Sequence, residues 1–360
     1  MRFTRFLILL FITSLLILST PLCFLQADST FKKTDLSELN FDQELTIPID
    51  TSLEESIYQP IDIRVEFDNP CWAKNETIHS VRVAYKNGGD YTEIESQIYD
   101  LSHTDETHID ACSLVFLIPE DATGEESYHV FYSDSETTAA EYPDYIHVKD
   151  THYYYEPITG QIMDFDYYQI NQGDYAIYGL CQKGELLENG MSNAVVKLLP
   201  GSTEFATKNA EQIAGFYTSY SVNPAGEHMG TQWAEDITKS VLVDGNLMTR
   251  IRIKGTSPRN DLLTDNIYTY YYNPTETKRL VVNTNHQVLE DIQIQGTQQR
   301  DGALASLSTI KARSGTIDDM NLGEILPKIH FYSEDQTIVD YDMPTDPDAH
   351  PADWLLGYSD

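Results

Sequence analysis

The chain has 360 residues, with 57 Asp and Glu against 23 Lys and Arg, and carries a formal net charge of −34 at pH 7. An exterior of this sign repels phosphate backbones and anionic lipid head groups, which disfavours nucleic acid and membrane surfaces as partners. The length favours two domains, and an apolar content of 41% with 24 Tyr and 13 Phe can bury enough surface to fold.

The first 27 residues have the layout of a secretory signal peptide. Arg2 and Arg5 precede the apolar run 6–18, and Ala27 offers a small residue at the cleavage site. An uncleaved anchor is the alternative, because the apolar stretch approaches the roughly 20 residues that span a bilayer. Pro21 and Ala27 favour cleavage, so we expect an exported protein, extracellular or at the cell surface, with membrane contact only if this segment is retained.

Residues 28–44 are predicted to be a linker and residues 45–150 a β-sandwich. Apolar and polar residues alternate along 61–67, which is the period of a half-buried strand, and Asn87-Gly88-Gly89 is a turn signal. The apolar stretch 112–118 is expected to be a continuous buried strand of this sandwich.

Three cysteines follow the leader, and an oxidising compartment would allow them to pair. Cys71 and Cys112 lie in one predicted domain and are expected to form a disulfide, which leaves Cys181 over. Asn75 begins the single Asn-x-Thr sequon and is a candidate glycosylation site. No metal ligands and no cofactor are predicted, because neither zinc-type nor calcium-loop spacings occur, although calcium is left open.

Residues 151–212 form a predicted connecting region that begins with a tyrosine-rich passage. Tyrosine has an apolar face and a polar tip, so the passage could be a sugar-stacking or inter-domain surface. The alternative, which the sequence favours, is that these tyrosines occupy half-buried strands.

Residues 213–340 are predicted to form a second β-domain with longer strands. Its clearest element is a hairpin at 241–247, where Asp244-Gly245 separates apolar alternations and both residues tolerate positive φ. The proline-containing segment 341–360 reads as a loop followed by an incomplete strand. We therefore expect this polypeptide to be the front part of a larger protein.

Positive charge is concentrated in the second domain. The window 239–313 holds ten basic residues against seven acids, inside a strongly acidic protein. Arg250, Arg252 and Lys254 stand two apart on one strand and so share one face, with successive members about 6.6 Å apart. These three residues, the basic strip, are candidate binding groups for carboxylates. The alternative, which the sequence favours, is a solvated face whose cations neutralise neighbouring acids.

Aromatic and titratable side chains nearby complete the candidate site. Tyr268 and Tyr272 share parity with one another and are predicted to bind substrate if the strand register places them beside the basic strip. Tyr270, His286 and Arg279 are the candidate catalytic group, since a Tyr or His could move a proton beside a carboxylate that Arg stabilises. A single histidine is more often only hydrogen-bonded or exposed.

The segments 243–253, 267–272 and 279–282 resemble the long-stranded β-supersandwich of galactose-mutarotase-type domains in polysaccharide lyases. The preceding part, 61–132, is similar in style to small β-modules of prokaryotic cell-surface proteins. The resemblance implies an all-β protein with an N-terminal β-sandwich followed by part of a larger, supersandwich-like one. The resemblance rests on strand patterns, and the family's catalytic Tyr and His cannot be assigned to residues of this sequence.

Two functions from different classes follow. The first is an exported carbohydrate-active or carbohydrate-binding protein, whose partner is a polysaccharide or cell-surface glycan. If catalytic, it would perform β-elimination on a uronate-containing chain, with Arg250, Arg252 or Arg279 neutralising the carboxylate. The second is a non-catalytic cell-surface or adhesion module that presents tyrosine-rich faces.

Overall fold

The computed structural model shows an almost purely β protein, which confirms the predicted all-β class. The part of the chain that it describes includes two short 3-10 turns, Leu36–Glu38 and Glu54–Ser56, and no helix of seven or more residues. The predicted signal peptide and the predicted terminal strand after residue 342 lie outside the described residues. The structure describes residues 36–122, 124, 127–158, 161–181, 194–197, 212–223, 227–231, 237–275, 278–295, 304–310, 328–332 and 338–342.

The first seven strands form two facing sheets. One sheet has the order β1-β7-β3-β4 and the other β2-β6-β5, and side chains from both enclose one apolar core. We call this body the first sandwich. Its strands are β1 Phe41–Leu45, β2 Pro60–Trp72, β3 Arg82–Asn87, β4 Asp90–Ile94, β5 Ser96–His103, β6 His108–Leu117 and β7 Ser127–Tyr132.

Local sequence explains most of these strands. Residues 111–116 of β6 are all buried, as expected for the central strand of its sheet. The β3–β4 turn uses Gly88 and Gly89 at φ +66° and +133°, values that only glycine adopts without strain. Strand β1 is different, because it lies partly in the predicted linker 28–44. Its weak alternation gave little signal, and it is held by backbone pairing with β7.

The predicted disulfide between Cys71 and Cys112 is wrong for this structure, in which both are free, buried thiols. A register shift in β2 places Cys71 opposite Ile109, whereas Cys112 lies opposite Val65. The two cysteines are therefore displaced by three residues, about 10 Å along the strand direction, and a disulfide needs Cα atoms within about 7 Å. Burial raises the pKa of the Cys71 thiol to about 12, so it is held protonated.

The second half of the described chain forms another pair of sheets. The larger has the order β13-β12-β11-β10-β9-β8, with β18 also pairing β12, and the smaller has the order β14-β15-β16-β17. We call this body the second sandwich. Its strands are β8 Ile146–Ile158, β9 Gln161–Gln172, β10 Tyr175–Cys181, β11 Ala194–Lys197, β12 Gln212–Ser221, β13 His228–Gly230, β14 Ile237–Asp244, β15 Met248–Thr256, β16 Leu262–Tyr271, β17 Leu280–Val288 and β18 Leu304–Ile310. A separate hairpin joins β19 Lys328–Tyr332 to β20 Ile338–Asp342.

The tyrosine-rich passage supplies strands of the second sandwich. Strands β8, β9 and β10 run through it, and Tyr167 and Tyr168 are buried. Ile170 of β9 and Leu180 of β10 pack against Ile251 on the opposite sheet. The passage therefore builds a sheet, where the sequence suggested a connection, and these two tyrosines fit the half-buried-strand interpretation. The side chain of Cys181 lies outside what the structure describes.

Candidate functional site

The basic strip has the predicted alternation. On β15, Ile251 and Ile253 are fully buried in the core of the second sandwich, while Arg250, Arg252 and Lys254 lie on the other face and are partly exposed. The period of two along a strand is enough to fix this arrangement, because successive side chains point to opposite faces.

Carboxylates of the protein pair with both arginines of the strip. Arg252 forms a bidentate pair with Asp265 of β16, with Nε 2.7 Å from Oδ1 and Nη2 bonded to Oδ2. Asp265 also lies directly opposite Lys254 in the register. Arg250 places Nη2 3.3 Å from Oδ2 of Asp62, a residue of the first sandwich. The interpretation as a solvated face with neutralised cations therefore describes this strip better than a binding site for a substrate carboxylate.

Tyr268 and Tyr272 are not beside the basic strip, so this part of the predicted site is wrong. The register pairs Tyr268 with Ile251, and residues directly opposite one another share a face of the sheet. Tyr268 is consequently fully buried in the core, behind the strip. Tyr272 follows the end of β16 and stacks on Tyr145, with ring centroids 4.1 Å apart and planes 8° apart.

The candidate catalytic residues Tyr270, His286 and Arg279 are also not gathered. Tyr270 of β16 pairs with Leu280 of β17, whereas His286 of β17 pairs with Thr264 of β16. Because Thr264 and Tyr270 are six residues apart along β16, His286 lies about 20 Å from Tyr270. The Tyr270 hydroxyl is buried and donates to Gln172 Oε1 at 2.8 Å. Burial raises the pKa of Tyr270 and lowers that of His286. The Arg279 guanidinium donates to Gln59 of the first sandwich.

The sequon residue Asn75 lies on the exposed turn between β2 and β3. Its Oδ1 accepts hydrogen bonds from the backbone N–H groups of Thr77 and Ile78 at 3.0 and 2.8 Å. An exposed turn of this kind is accessible to a modifying enzyme. Glycosylation at Asn75 stays a prediction.

Arg250 belongs to a polar cluster that joins the two sandwiches. Asp62 of β2 accepts hydrogen bonds from the hydroxyls of Tyr99 and Tyr271, each at 2.7 Å, in addition to its ion pair with Arg250. The guanidinium also lies over the Tyr99 ring, 4.9 Å from its centroid. Hydrogen bonds to a carboxylate are about twice as strong as neutral ones, so this cluster fixes the two bodies against each other.

Gln97 makes a second connection across the joint. Its Oε1 accepts the backbone N–H groups of Leu247 and Met248 at 2.9 and 2.8 Å, and its Nε2 donates to the Met248 carbonyl at 3.1 Å. A Cβ on Gly245 would lie 2.3 Å from the Gln97 amide. Gly245 is thus required by this close approach, and the φ values of Asp244 and Gly245 are not positive. The predicted hairpin is confirmed, but its glycine serves packing.

A cleft of about 590 Å³ opens beside this joint. We call it the inter-sandwich cleft, because the first sandwich, the connection at 140–144 and the β14–β15 hairpin each supply part of its wall. Among the residues that the structure describes, no Lys or Arg lines it. The lining residues are Glu76, Thr77, His79, Ser96, Gln97, Ile98, Tyr99, Asp100, Ala140, Tyr142, Asp144, Leu242, Val243, Asp244, Gly245 and Asn246.

Three lining residues carry buried polar side-chain atoms. They are Nδ1 of His79, Oγ of Ser96 and Nδ2 of Asn246. His79 is 5% exposed and Ser96 is 2% exposed. Buried polar groups are normally paired, because leaving one unpaired costs about 1–3 kcal/mol. The Ser96 hydroxyl interacts with the Tyr142 hydroxyl, and the His79 side chain interacts with the backbone of Val81 and Glu76, so two of these three residues are engaged within the protein.

Carboxylates set the electrostatics of the cleft. Glu76, Asp100, Asp144 and Asp244 all line it. Partial burial raises the pKa of Asp244, and the neighbouring charge of Asp144 adds to that effect. Burial, followed by the charge of Arg82, lowers the pKa of His79 to about 3, so its imidazole is neutral at physiological pH. The cleft therefore combines carboxylate side chains with a neutral imidazole among its lining residues.

Sequence reasoning missed this cleft, because its residues come from four separated segments. The only local signal was Asp244-Gly245-Asn246, whose glycine was attributed to turn conformation. Within the described residues, no group of three His, Cys, Asp or Glu side chains is arranged to hold a metal ion, so the carboxylates of the cleft are too dispersed for that role.

Comparisons with known proteins add no relative. No known family model matches the chain, and no curated protein matches it either. Among the helices that the structure describes, none is long and apolar enough to cross a membrane.

Proposed function

We propose that this chain is an exported, non-catalytic binding protein of the cell surface or medium, and that it holds a glycan in the inter-sandwich cleft. The observation that carries the proposal is a cavity of about 590 Å³ beside the joint of the two sandwiches, with carboxylate, amide, hydroxyl and apolar side chains among its described lining residues. Ligand sites are typically preformed clefts of about 300–1,000 Å³ with a few placed polar groups, and they favour the interfaces between domains.

The joint supports binding by keeping the cleft preformed. Asp62 bonds to Tyr271 and Arg250, and Gln97 bonds to Leu247 and Met248, so direct polar contacts connect the two sandwiches. A site whose walls are already fixed loses less conformational entropy when the ligand arrives. Export rests on the charge and apolar pattern of residues 1–27.

The same geometry favours binding over β-elimination. The reaction would need a base and a cation around one uronate, and the candidate groups Tyr270 and His286 lie about 20 Å apart by strand register. Arg252 is already engaged by Asp265 and Arg250 by Asp62. A free uronate would therefore have to displace a protein carboxylate.

The test exposes the purified full chain to neutral, acidic and amine-bearing oligosaccharides. Calorimetry measures binding, and ultraviolet absorbance measures the unsaturated uronate that a lyase would release. We expect binding to at least one glycan without any rise in absorbance. Unsaturated product from an acidic polysaccharide would overturn the non-catalytic assignment. If calorimetry detects no binding and the absorbance does not rise, glycan binding is overturned.

A further inference from the structure

We propose that the outer edge of strand β17 pairs with the same edge of a second copy of this chain, antiparallel and about a two-fold axis at Thr284. The pairing joins two four-stranded sheets into one continuous sheet. This inference goes beyond the proposed binding function and does not depend on it. It assigns a partner to the surface formed by Leu280–Val288 and the charged residues that flank this strand.

Strand β17 is an edge of its sheet, and the hydrogen-bond pattern shows which backbone groups face outward. In the described part of the chain, only β16 pairs with β17. The N–H of Leu289 donates to the carbonyl of Asp261 at 2.8 Å, one position beyond the last pair of the β16–β17 register. Antiparallel residues alternate between bonded and non-bonded pairs, so the odd-numbered residues of β17 bond to β16. The even-numbered residues turn their N–H and C=O groups to the outer edge, and they are Leu280, Val282, Thr284, His286 and Val288.

This edge lacks the features that normally keep strands from pairing. Natural sheet edges are blunted by charged side chains, prolines or β-bulges. Strand β14, the opposite edge of the same sheet, has a bulge between Val241 and Val243 and carries Lys239. By contrast, the β16–β17 register runs without a shift, and residues 280–289 contain no Asp, Glu, Lys, Arg or Pro. In a chain of net charge −34, two copies can approach along this uncharged strip without strong local repulsion.

The charges that flank β17 select a second copy in the antiparallel orientation. Arg279 precedes the strand, Glu290 and Asp291 follow it, and all three are exposed. The hydrogen-bond acceptor of Arg279 is the neutral side chain of Gln59, and in the described part of the chain no base pairs with Glu290 or Asp291. A two-fold axis at Thr284 places Arg279 of each copy next to the two carboxylates of the other copy. Opposite charges therefore meet at both ends of the paired strands.

The same pairing covers exposed apolar side chains. Val281 is 53% exposed and Val288 is 51% exposed. The two-fold axis places Val288 opposite Leu280 of the second copy, and residues directly opposite one another share a face and pack together. An interface built on one strand pair is smaller than a typical stable one, so we expect association in the micromolar range.

Sedimentation velocity of the purified full chain measures this association, at protein concentrations from about 1 to 200 µM. We expect a monomer–dimer equilibrium without larger species, because a two-fold contact uses the same surface of both copies and is closed. A wild type that stays monomeric over the whole range would overturn the proposal. A series of larger assemblies would also overturn it.

Thr284→Pro tests the backbone pairing. The substitution removes the central outward N–H, and edge strands tolerate proline where the N–H faces solvent. We expect the variant to keep the circular dichroism spectrum of wild type and to remain monomeric at the highest concentration. A folded Thr284→Pro variant that dimerises as wild type does would show that this edge is not the interface.

Charge exchange tests the orientation without changing the strand itself. Arg279→Glu places like charges together and should weaken the dimer at least about tenfold, and adding Glu290→Arg should recover most of that loss. Lys149→Glu is the matched control, because it makes the same charge change at an exposed residue of β8, and it should stay within about twofold of wild type. If Arg279→Glu and Lys149→Glu have equal effects, or if Glu290→Arg recovers nothing, the antiparallel pairing is wrong.

Discussion

The Gln97 bridge makes a quantitative prediction about stability. In Gln97→Ala, the backbone N–H groups of Leu247 and Met248 lose their acceptor, and both residues are essentially fully buried. The Met248 carbonyl keeps a second donor, the N–H of Gly245 at 3.2 Å. Two unsatisfied donors at about 1–3 kcal/mol each, partly relieved by water entering from the cleft, lower the free energy of unfolding by about 3 kcal/mol.

Urea unfolding of the full chain measures this loss. Gln287→Ala is the matched control, because Gln287 is exposed on β17, and its effect should stay within about 0.5 kcal/mol. Gly245→Ala should also destabilise, since its Cβ would force the Gln97 amide aside. In the Gln97→Ala background the same change should be nearly neutral. Additive effects, or a Gln97→Ala loss no larger than that of the control, would refute the bridge.

Three further predictions concern the joint and the buried titratable groups. In the folded protein His79 stays neutral down to about pH 3, whereas in the unfolded chain it protonates near pH 6.5. The unfolded state therefore binds more protons between these pH values, and the free energy of unfolding falls by about 2 kcal/mol between pH 7 and pH 5. His79→Gln should flatten that part of the pH profile in denaturant titrations, and an unchanged slope would contradict the burial of a neutral imidazole. Asp62→Ala leaves Arg250 without its carboxylate and should cost about 2–4 kcal/mol in the same titrations, whereas a loss below about 0.5 kcal/mol would show that the joint does not depend on this ion pair. Cys71 and Cys112 should resist a thiol reagent in the folded protein and react on unfolding without reductant; failure to react in denaturant would indicate a disulfide after all.

Much of the fold could be read from the sequence because strand alternation is a local property. Where one face of a strand meets a core, every second residue is buried. Along β15 buried and partly exposed residues alternate from Thr249 to Thr256, and only Met248 at the start departs from this pattern. The Gly88-Gly89 turn and the buried run along β6 follow from equally local rules. These elements were predicted correctly because nothing distant is needed to specify them.

The candidate site depended on relations between strands, which local pattern does not contain. The alternation along β16 does not show which of its two faces meets the core. The strand register decides this, because Tyr268 pairs with the buried Ile251 and therefore lies on the core face. The partner of Arg250 is Asp62, 188 residues away along the chain. A single-residue signal cannot reveal such a partner.

The sequence by itself determined the β class, the acidic exterior and the alternating faces of individual strands, because each follows from residue type and spacing of two. Only the tertiary structure decided that Arg250 and Arg252 are paired with carboxylates, that Tyr268 and Tyr270 are buried and that a cleft lined by carboxylates opens between the sandwiches. The reason is physical: the net charge and the hydrogen bonding of a site are sums over neighbours, and neighbours in a β protein are set by long-range strand pairing.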